Sequence, residues 1–280
     1  MGDLSHVLWI GGPAAAGKTT VSRLLARRHG LRRYSVDEHM WQYRDRAAAA
    51  GVPLPDEGPG DFDHGPMICE DLRSLPSPLV VVEGALVRPD LTTPMEHAVW
   101  LMPSQEEQRA RLERRHPEGI HHGFVWGWRL IRGQLDAAPD GATITVDGQT
   151  VSQTLAAVEE RFAERIAAGP TARTVEERRS LLRYANEVIV TRACTGLARG
   201  LLTEDVSTRI FDCECADPAC DALVDLPVRD AAAILADPTV GDPRARSSQM
   251  TSQRTLTKRR AKARHDGGGS DTRASDASQR

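Results

Sequence analysis

The sequence predicts an α/β protein of three layers, with a five-stranded parallel β-sheet covered by helices on both faces. A small, mostly helical, cysteine-containing module and a disordered tail follow it. Three observations predict this. Gly12-Pro13-Ala14-Ala15-Ala16-Gly17-Lys18-Thr19 fits G-x-x-x-x-G-K-[ST], the pattern of a loop that wraps phosphate groups with its own backbone. The loop lies between a short apolar run, His6 to Ile10, and a segment from Thr20 to His29 in which Val21, Leu24 and Leu25 form one apolar stripe, so the order is strand, glycine loop, helix. Four more short apolar runs alternate with helical patterns further on, the arrangement of a parallel sheet with crossover helices.

Taken in order, Gly30 suits the C-cap of the first helix, and Arg33 to Asp37 reads as a second strand ending on a carboxylate. Residues 37 to 78 are less regular. Trp41 and Tyr43 suggest a helix start, whereas Gly51 to Gly65, rich in Pro, Gly and Asp, reads as a loop. So long an excursion is either an acceptor-substrate region or a plain insertion. Leu79 to Gly84 is continuous and apolar, as a strand buried on both faces should be, and it too ends on a carboxylate, Glu83. His97 to Leu101 and Thr143 to Asp147 complete the five strands. Ligands of open parallel sheets bind beyond the carboxyl ends of the strands, where Gly12, Asp37 and Glu83 would meet.

Ser104 followed by Glu106-Glu107 opens a helix that runs to Arg115 and is ended by Pro117. Helical spacing puts Arg111, Arg114 and Arg115 on one face and Arg109 elsewhere. Gly119 to Gly133 holds His121, His122, Phe124, Trp126 and Trp128, and is either a segment closing over substrate or the apolar side of a helix. Thr154 to Ala168 is amphipathic through Leu155, Val158, Phe162 and Ile166. A break at Gly169-Pro170-Thr171 separates a first domain, residues 1–169, from a second, 172–243, with a helix from Val175 to Thr195, a cysteine cluster, Asp225 to Val228 and a short helix to about Ala236.

The chain has 280 residues and a net charge of −3, unevenly spread. Residues 244–280 carry ten Lys or Arg against three Asp, a local +7 that leaves −10 for the rest. That tail is nearly devoid of apolar residues, so disorder is expected. It is either a solvated charge run or a nonspecific contact for nucleic acid through phosphates, without base stacking because it holds no aromatic residue. No apolar run approaches the roughly 18 residues of a membrane span, no signal-peptide pattern opens the chain, and the five cysteines do not form a disulfide framework, so a cytoplasmic protein is expected.

The loop residues Gly12, Ala14, Ala15, Ala16, Gly17, Lys18 and Thr19, with Thr20, are the candidate nucleotide contacts. With a triphosphate on the loop, Lys18 reaches the β and γ oxygens and the Thr19 hydroxyl ligates Mg²⁺. Asp37 is the candidate to accept the acceptor's hydroxyl proton or to help hold the metal, and Glu83 is an outer-sphere metal partner or an acceptor contact. Arg111, Arg114 and Arg115 either bring positive charge to the closing site, Arg114 toward substrate, or form a solvated helix face.

Gly12 to Thr19, Asp37, Val80-Val81-Val82-Glu83-Gly84 and the arginine-bearing helix before a lid-like segment together resemble the nucleoside/nucleotide kinase-like P-loop kinases. This family includes gluconate, shikimate and adenylate kinases and the kinase that inactivates chloramphenicol. The resemblance covers residues 5 to 168. It implies a P-loop NTPase fold, ATP as donor, an arginine-rich lid and transfer of the γ-phosphate to a hydroxyl of a small acceptor: a nucleoside, nucleotide, sugar acid or antibiotic-like molecule. Where some members carry D-x-D after the second strand, this chain has Asp37-Glu38-His39, and Val146-Asp147-Gly148 is similar in position to the loop bordering the adenine ring. An ATP-binding switch or ATPase whose lid signals to the C-terminal module is the alternative.

Cys213-x-Cys215-x₄-Cys220 offers three thiolates within eight residues. They either hold a tetrahedral Zn²⁺ completed by Cys194 or water, or stay free. The run around them resembles an uncharacterised actinobacterial module with a C-E-C…C core, a preceding helix bearing Asn-Glu, here Asn186-Glu187, and a His that commonly follows. The only His after Cys220 is His265, in the tail.

Overall fold

The structure, a computed structural model, describes residues 4–54, 62–92, 95–120, 122–137, 143–200 and 208–236. Strands β1 (Val7–Gly11), β2 (Arg32–Ser35), β3 (Val80–Glu83), β4 (Ala98–Met102) and β5 (Thr143–Thr145) form one parallel sheet in the order β2-β3-β1-β4-β5. The apolar runs explain that order. Every residue of β1, β3 and β4 is buried, and these are the three inner strands, whereas β5 lies at an edge and exposes two of its three residues.

Alternation along the inner strands feeds two cores. Leu8, Ile10, Val81, Val99 and Leu101 point to the face covered by α1 (Lys18–His29) and α6 (Val151–Ala168), where Leu25, Val158 and Phe162 meet them. Trp9, Val80, Val82 and Trp100 point to the other face, under α2 (Met40–Ala49), α3 (Gly65–Ser74) and α5 (His122–Ala137). Helix α4 (Gln105–Arg115) starts as its sequence requires, with the Ser104 hydroxyl accepting from the Glu107 N–H at 3.1 Å. The first helix ends at Gly30, whose φ of 66° is left-handed and whose N–H bonds the Ala26 carbonyl.

Three expectations need correction. Strand β2 stops at Ser35, and Asp37 opens a 3₁₀ turn, Asp37–His39, because the imidazole of His39 hydrogen-bonds back to the Ser35 carbonyl at 2.7 Å. The irregular stretch before β3 holds α3, which puts Ile68 and Leu72 in the core. The segment around Phe124 and Trp128 is one helix, not the irregular stretch its glycines suggest: Ile131 and Leu135 enter the core, while Phe124, Gly127 and Leu130 line a cleft. Residues 55–61, His121, the side chains of His122 and Trp126, and the tail lie outside the described residues.

The C-terminal segment begins at α7 (Val175–Ala198), opened by a reciprocal cap between Thr174 and Glu177. An antiparallel hairpin that the sequence did not announce, β6 (Thr208–Asp212) with β7 (Leu223–Pro227), and α8 (Val228–Ala236) close a small core on Val190, Ala193, Phe211 and Val228. Arginines fasten this segment to the sheet domain. Arg23 pairs with Asp212 at 3.0 Å, Arg178 donates to the Arg27 carbonyl at 2.9 Å, and Arg32 lies 5.1 Å from the Tyr184 ring centroid. Among the described residues, no helix is long and apolar enough to cross a membrane.

Candidate active site

Strand β1 delivers the backbone to the carboxyl edge of the sheet, where it must turn within a few residues. At Gly12, φ is +131° and a Cβ would stand 2.3 Å from the Leu101 carbonyl oxygen, so only glycine lets the loop pass β4. Ala15 (φ 61°) is left-handed without being glycine, a conformation costing about 1 kcal/mol. Helix α4 supports that turn. Gln108, 2% exposed, donates through Nε2 to the carbonyls of Ala14 (3.1 Å) and Phe124 (3.3 Å). One turn on, Arg111 donates to the carbonyls of Ala15 (3.3 Å) and Val146 (3.0 Å), and Glu107 holds its Nε at 2.7 Å.

Arg111 therefore braces the loop backbone. Arg115, a turn further along the same face, lines a cleft of about 560 Å³ whose floor is the glycine loop. Arg114 is exposed and does not line it. The face expected to carry three arginines thus runs Gln108, Arg111, Arg115, which is i, i+3, i+7, and Arg114 is turned away from it.

Lys18 opens α1 almost fully buried, its Nζ donating to the Pro13 carbonyl at 2.8 Å. Burial pushes its ammonium below the usual lysine range, opposed by the charges of Asp37 and Glu83 and reinforced by Arg115. Thr19 Oγ1 donates to Glu83 Oε2 at 3.1 Å. Glu83 lies at the end of β3, 1% exposed, with Arg33 Nη1 at 3.5 Å from its other oxygen. Burial raises its carboxyl above the usual range, the Asp37 charge raises it further, and Arg33 opposes both. Asp37 sits on the rim of the same cleft, its carboxylate accepting from the Ala85 N–H at 3.1 Å. Gly84, with φ +155° and a Cβ position 3.1 Å from Asp37 Oδ1, gives that carboxylate its room.

The structure thus gathers the loop residues 14–20, Asp37 and Arg115 around one cleft, with Glu83 beneath the loop. The expected adenine-bordering segment, Val146-Asp147-Gly148, is tied to the loop through Arg111 and to α4 through Asp147 Oδ1, which accepts from the Ser104 N–H at 2.8 Å. Sequence reasoning missed Gln108, although it stands four residues after a recognisable cap on the Arg111 and Arg115 face. It also missed Arg192, which reaches the cleft from α7 and has Glu38 Oε2 at 3.1 Å from its Nη1. No local signal linked a residue so far along the chain to the loop.

A second group lies in the β6–β7 connection. The sulfurs of Cys213, Cys215 and Cys220 are all within 4.8 Å of one another. Cys194 is exposed on α7 and is not part of this group, so the expected fourth thiolate is not supplied. Asn186 grips the turn from α7, accepting from the Asp212 N–H at 2.9 Å and donating to the Asp212 carbonyl at 3.0 Å and to Glu214 at 2.9 Å. Glu187 instead pairs at the surface with Arg183. Burial pushes the Cys213 thiol up to about 12. Arg27, buried at the end of α1, donates to the Cys213 carbonyl and lies 3.9 Å from the Cys215 sulfur. Three sulfurs this close suit a thiophilic metal, because Zn–S bonds of about 2.3 Å place tetrahedral ligands about 3.8 Å apart.

Strand order β2-β3-β1-β4-β5, the glycine loop after β1 and the helices on both faces define a three-layer α/β P-loop fold with an added cysteine-containing C-terminal segment. No protein-family model matches the chain, and no curated protein matches it in sequence. Among solved structures it is similar to a gluconokinase from Sinorhizobium meliloti, at 20% identity over 57% of this chain and 93% of that one, with a TM-score of 0.37. It is also similar to the tunicamycin resistance protein of Deinococcus radiodurans, at 16% identity over 60% and 98% of the two chains, with a TM-score of 0.41. A sugar kinase from Janibacter sp. matches at 16% identity over 57% and 96%, with a TM-score of 0.34.

Proposed function

We propose that the protein is an ATP-dependent phosphotransferase that moves the γ-phosphoryl group to a hydroxyl of a small molecule. The observation that carries this reading is Asp37, a carboxylate opening into the same cleft as the loop and Lys18, after the edge strand β2, whereas the Arg111-anchored segment around Val146 follows β5 at the opposite edge of the sheet. A loop alone only binds phosphate; a base facing it gives the phosphate somewhere to go. The backbone N–H groups of residues 14–19 cradle the phosphates at the positive end of α1. Lys18 leaves the Pro13 carbonyl for the β and γ oxygens, and Arg115 approaches from α4 as charge develops on the transferred group. Asp37, held in place by the Ala85 N–H, accepts the acceptor's hydroxyl proton.

The Thr19 hydroxyl with the carboxylates of Asp37 and Glu83 is a set of hard oxygen donors that suits Mg²⁺. Thr19 would hold it, with Glu83 accepting from Thr19 and Asp37 left free to act as the base. Bound there, magnesium supplies neutralisation of the β- and γ-phosphate charge. In the C-terminal segment we assign Cys213, Cys215 and Cys220 to Zn²⁺, with water as the fourth ligand, as a structural clasp between the β6–β7 turn and α1. The break at residues 169–172 separates two folding units in this reading. A nucleotide switch has one observation in its favour, the docking of that turn on Arg23 and Arg27 of the helix that starts at the loop.

The test is ADP formation from Mg·ATP with a panel of hydroxyl compounds. Turnover should depend on the acceptor, fall by at least about 10²-fold in Lys18→Ala, and fall by about 10²- to 10⁴-fold in Asp37→Asn with ATP binding retained. ADP formation indifferent to every acceptor would favour the switch, and a Lys18→Ala protein as active as wild type would remove the phosphotransferase reading.

A further inference from the structure

Two arginines, Arg115 and Arg192, line the cleft, and several others on the elements around it are committed elsewhere. Arg111 holds two backbone carbonyls and Glu107, Arg109 pairs with Glu113, Arg46 with Glu70 and Asp71, and Arg88 with Asp63 and Asp90. Arg115 is the one whose charge acts on Lys18, so it belongs to the phosphate side. Arg192 differs. Its partner among the described residues is Glu38 alone, at 3.1 Å, and its side chain is 42% exposed. Glu38 follows Asp37 directly, which puts Arg192 on the side of the cleft where the acceptor's hydroxyl must lie.

The space continues there. Trp41 and Arg192 line both the main cleft and a second pocket of about 250 Å³, bounded further by Glu38, by the small residues Ala193 and Gly196, and by a second arginine, Arg209. The wall carrying Arg192 is fixed. Helix α7 is tied to the sheet domain by Arg178 and Tyr184 near its start, and at its far end Arg199 pairs with Asp45 and lies 5.0 Å from the Trp41 ring centroid. A guanidinium held on a rigid helix, with most of its donors uncommitted, matches the oxygens of a carboxylate or phosphate. A neutral polyol beside Asp37 and Glu38 would need no such cation, whereas an anion could not approach two carboxylates without one.

We propose that Arg192 binds an anionic group of the acceptor, a carboxylate or phosphate lodged in the pocket beyond Trp41. The acceptor is then an anionic hydroxyl compound, and the C-terminal segment forms part of the substrate site. This rests on the phosphotransferase reading above and narrows it to acidic acceptors.

The experiment loads the full-length protein with Mg²⁺ and the non-hydrolysable analogue AMPPNP, so that the glycine loop is filled, and titrates it calorimetrically with inorganic phosphate, D-gluconate and sorbitol. Gluconate and sorbitol differ only in the carboxylate, and phosphate reports the alternative anion. Binding of phosphate or gluconate but not of sorbitol is expected. Arg192→Ala should weaken it at least tenfold with AMPPNP affinity unchanged within twofold, and Arg192→Lys should fall between. Thermal unfolding confirms that both variants fold. Absence of anion binding to the AMPPNP-loaded wild type, equal binding of sorbitol, or equal anion binding by Arg192→Ala would overturn the assignment and leave the phosphotransferase reading standing. Failure of AMPPNP to bind would overturn both.

Discussion

Replacing Gln108 with alanine removes the contact that α4 makes to the middle of the glycine loop. Two hydrogen bonds disappear, to the Ala14 and Phe124 carbonyls, at a position 2% exposed to solvent. Each is worth about 1 kcal/mol net, and the vacated volume adds roughly another 1 kcal/mol, for a total of about 3 kcal/mol. In a chain of this size that lowers Tm by about 6–12 °C. The loss is local to the loop: the Ala14 carbonyl loses its side-chain donor, while Arg111 still holds the carbonyl of the left-handed Ala15. Affinity for Mg·ATP should accordingly fall by about tenfold or more, as a loop that must be ordered on binding binds less well. Gln108→Met restores the volume without the donor, so it should recover part of Tm and little of the affinity. Calorimetric titration with Mg·ATP beside thermal unfolding reads both. An alanine variant within about 1 °C of wild type in Tm, and within twofold in affinity, would refute the claim that α4 shapes the loop.

Two further outcomes follow from buried or clustered groups. Burial pushes the His39 imidazole below its ordinary value, stacked 4.2 Å from the Tyr34 ring, so the folded state resists protonation. Its share of stability is complete above about pH 6.5 and lost as pH falls below that, at up to about 1.4 kcal/mol per pH unit. Urea midpoints at pH 7.5 and 5.5 should converge in His39→Asn relative to wild type, and an unchanged difference would contradict the assignment. Native mass spectrometry should find one zinc per chain, absent in Cys213→Ser and Cys220→Ser and retained in Cys194→Ser. Zinc lost with Cys194→Ser would contradict the three-thiolate site.

The sheet was legible because its inner strands are uninterrupted apolar runs, and the glycine loop because close backbone passage at Gly12 leaves no other choice of residue. Asp37 and Glu83 were legible by position, as carboxylates at strand ends. Three features were not. Arg111 and Arg114 look alike in sequence, but only Arg111 shares the Gln108 and Arg115 face, and what it meets there is set by a loop some 96 residues earlier. Arg27 is one of several arginines on α1 with no feature that sets it apart in sequence, and its burial depends on a hairpin 186 residues further on. Arg192 enters the cleft only because α7 docks beside Trp41, a contact that no periodicity in α7 encodes.

The central claim is that phosphate is moved and not merely bound. Phosphorus NMR of the full-length protein with Mg·ATP and a deproteinised cell-metabolite extract tests it directly. The γ-phosphorus signal should reappear as a phosphomonoester, at a rate abolished in Lys18→Ala. Its reappearance only as inorganic phosphate, or its persistence in ATP, would contradict the account.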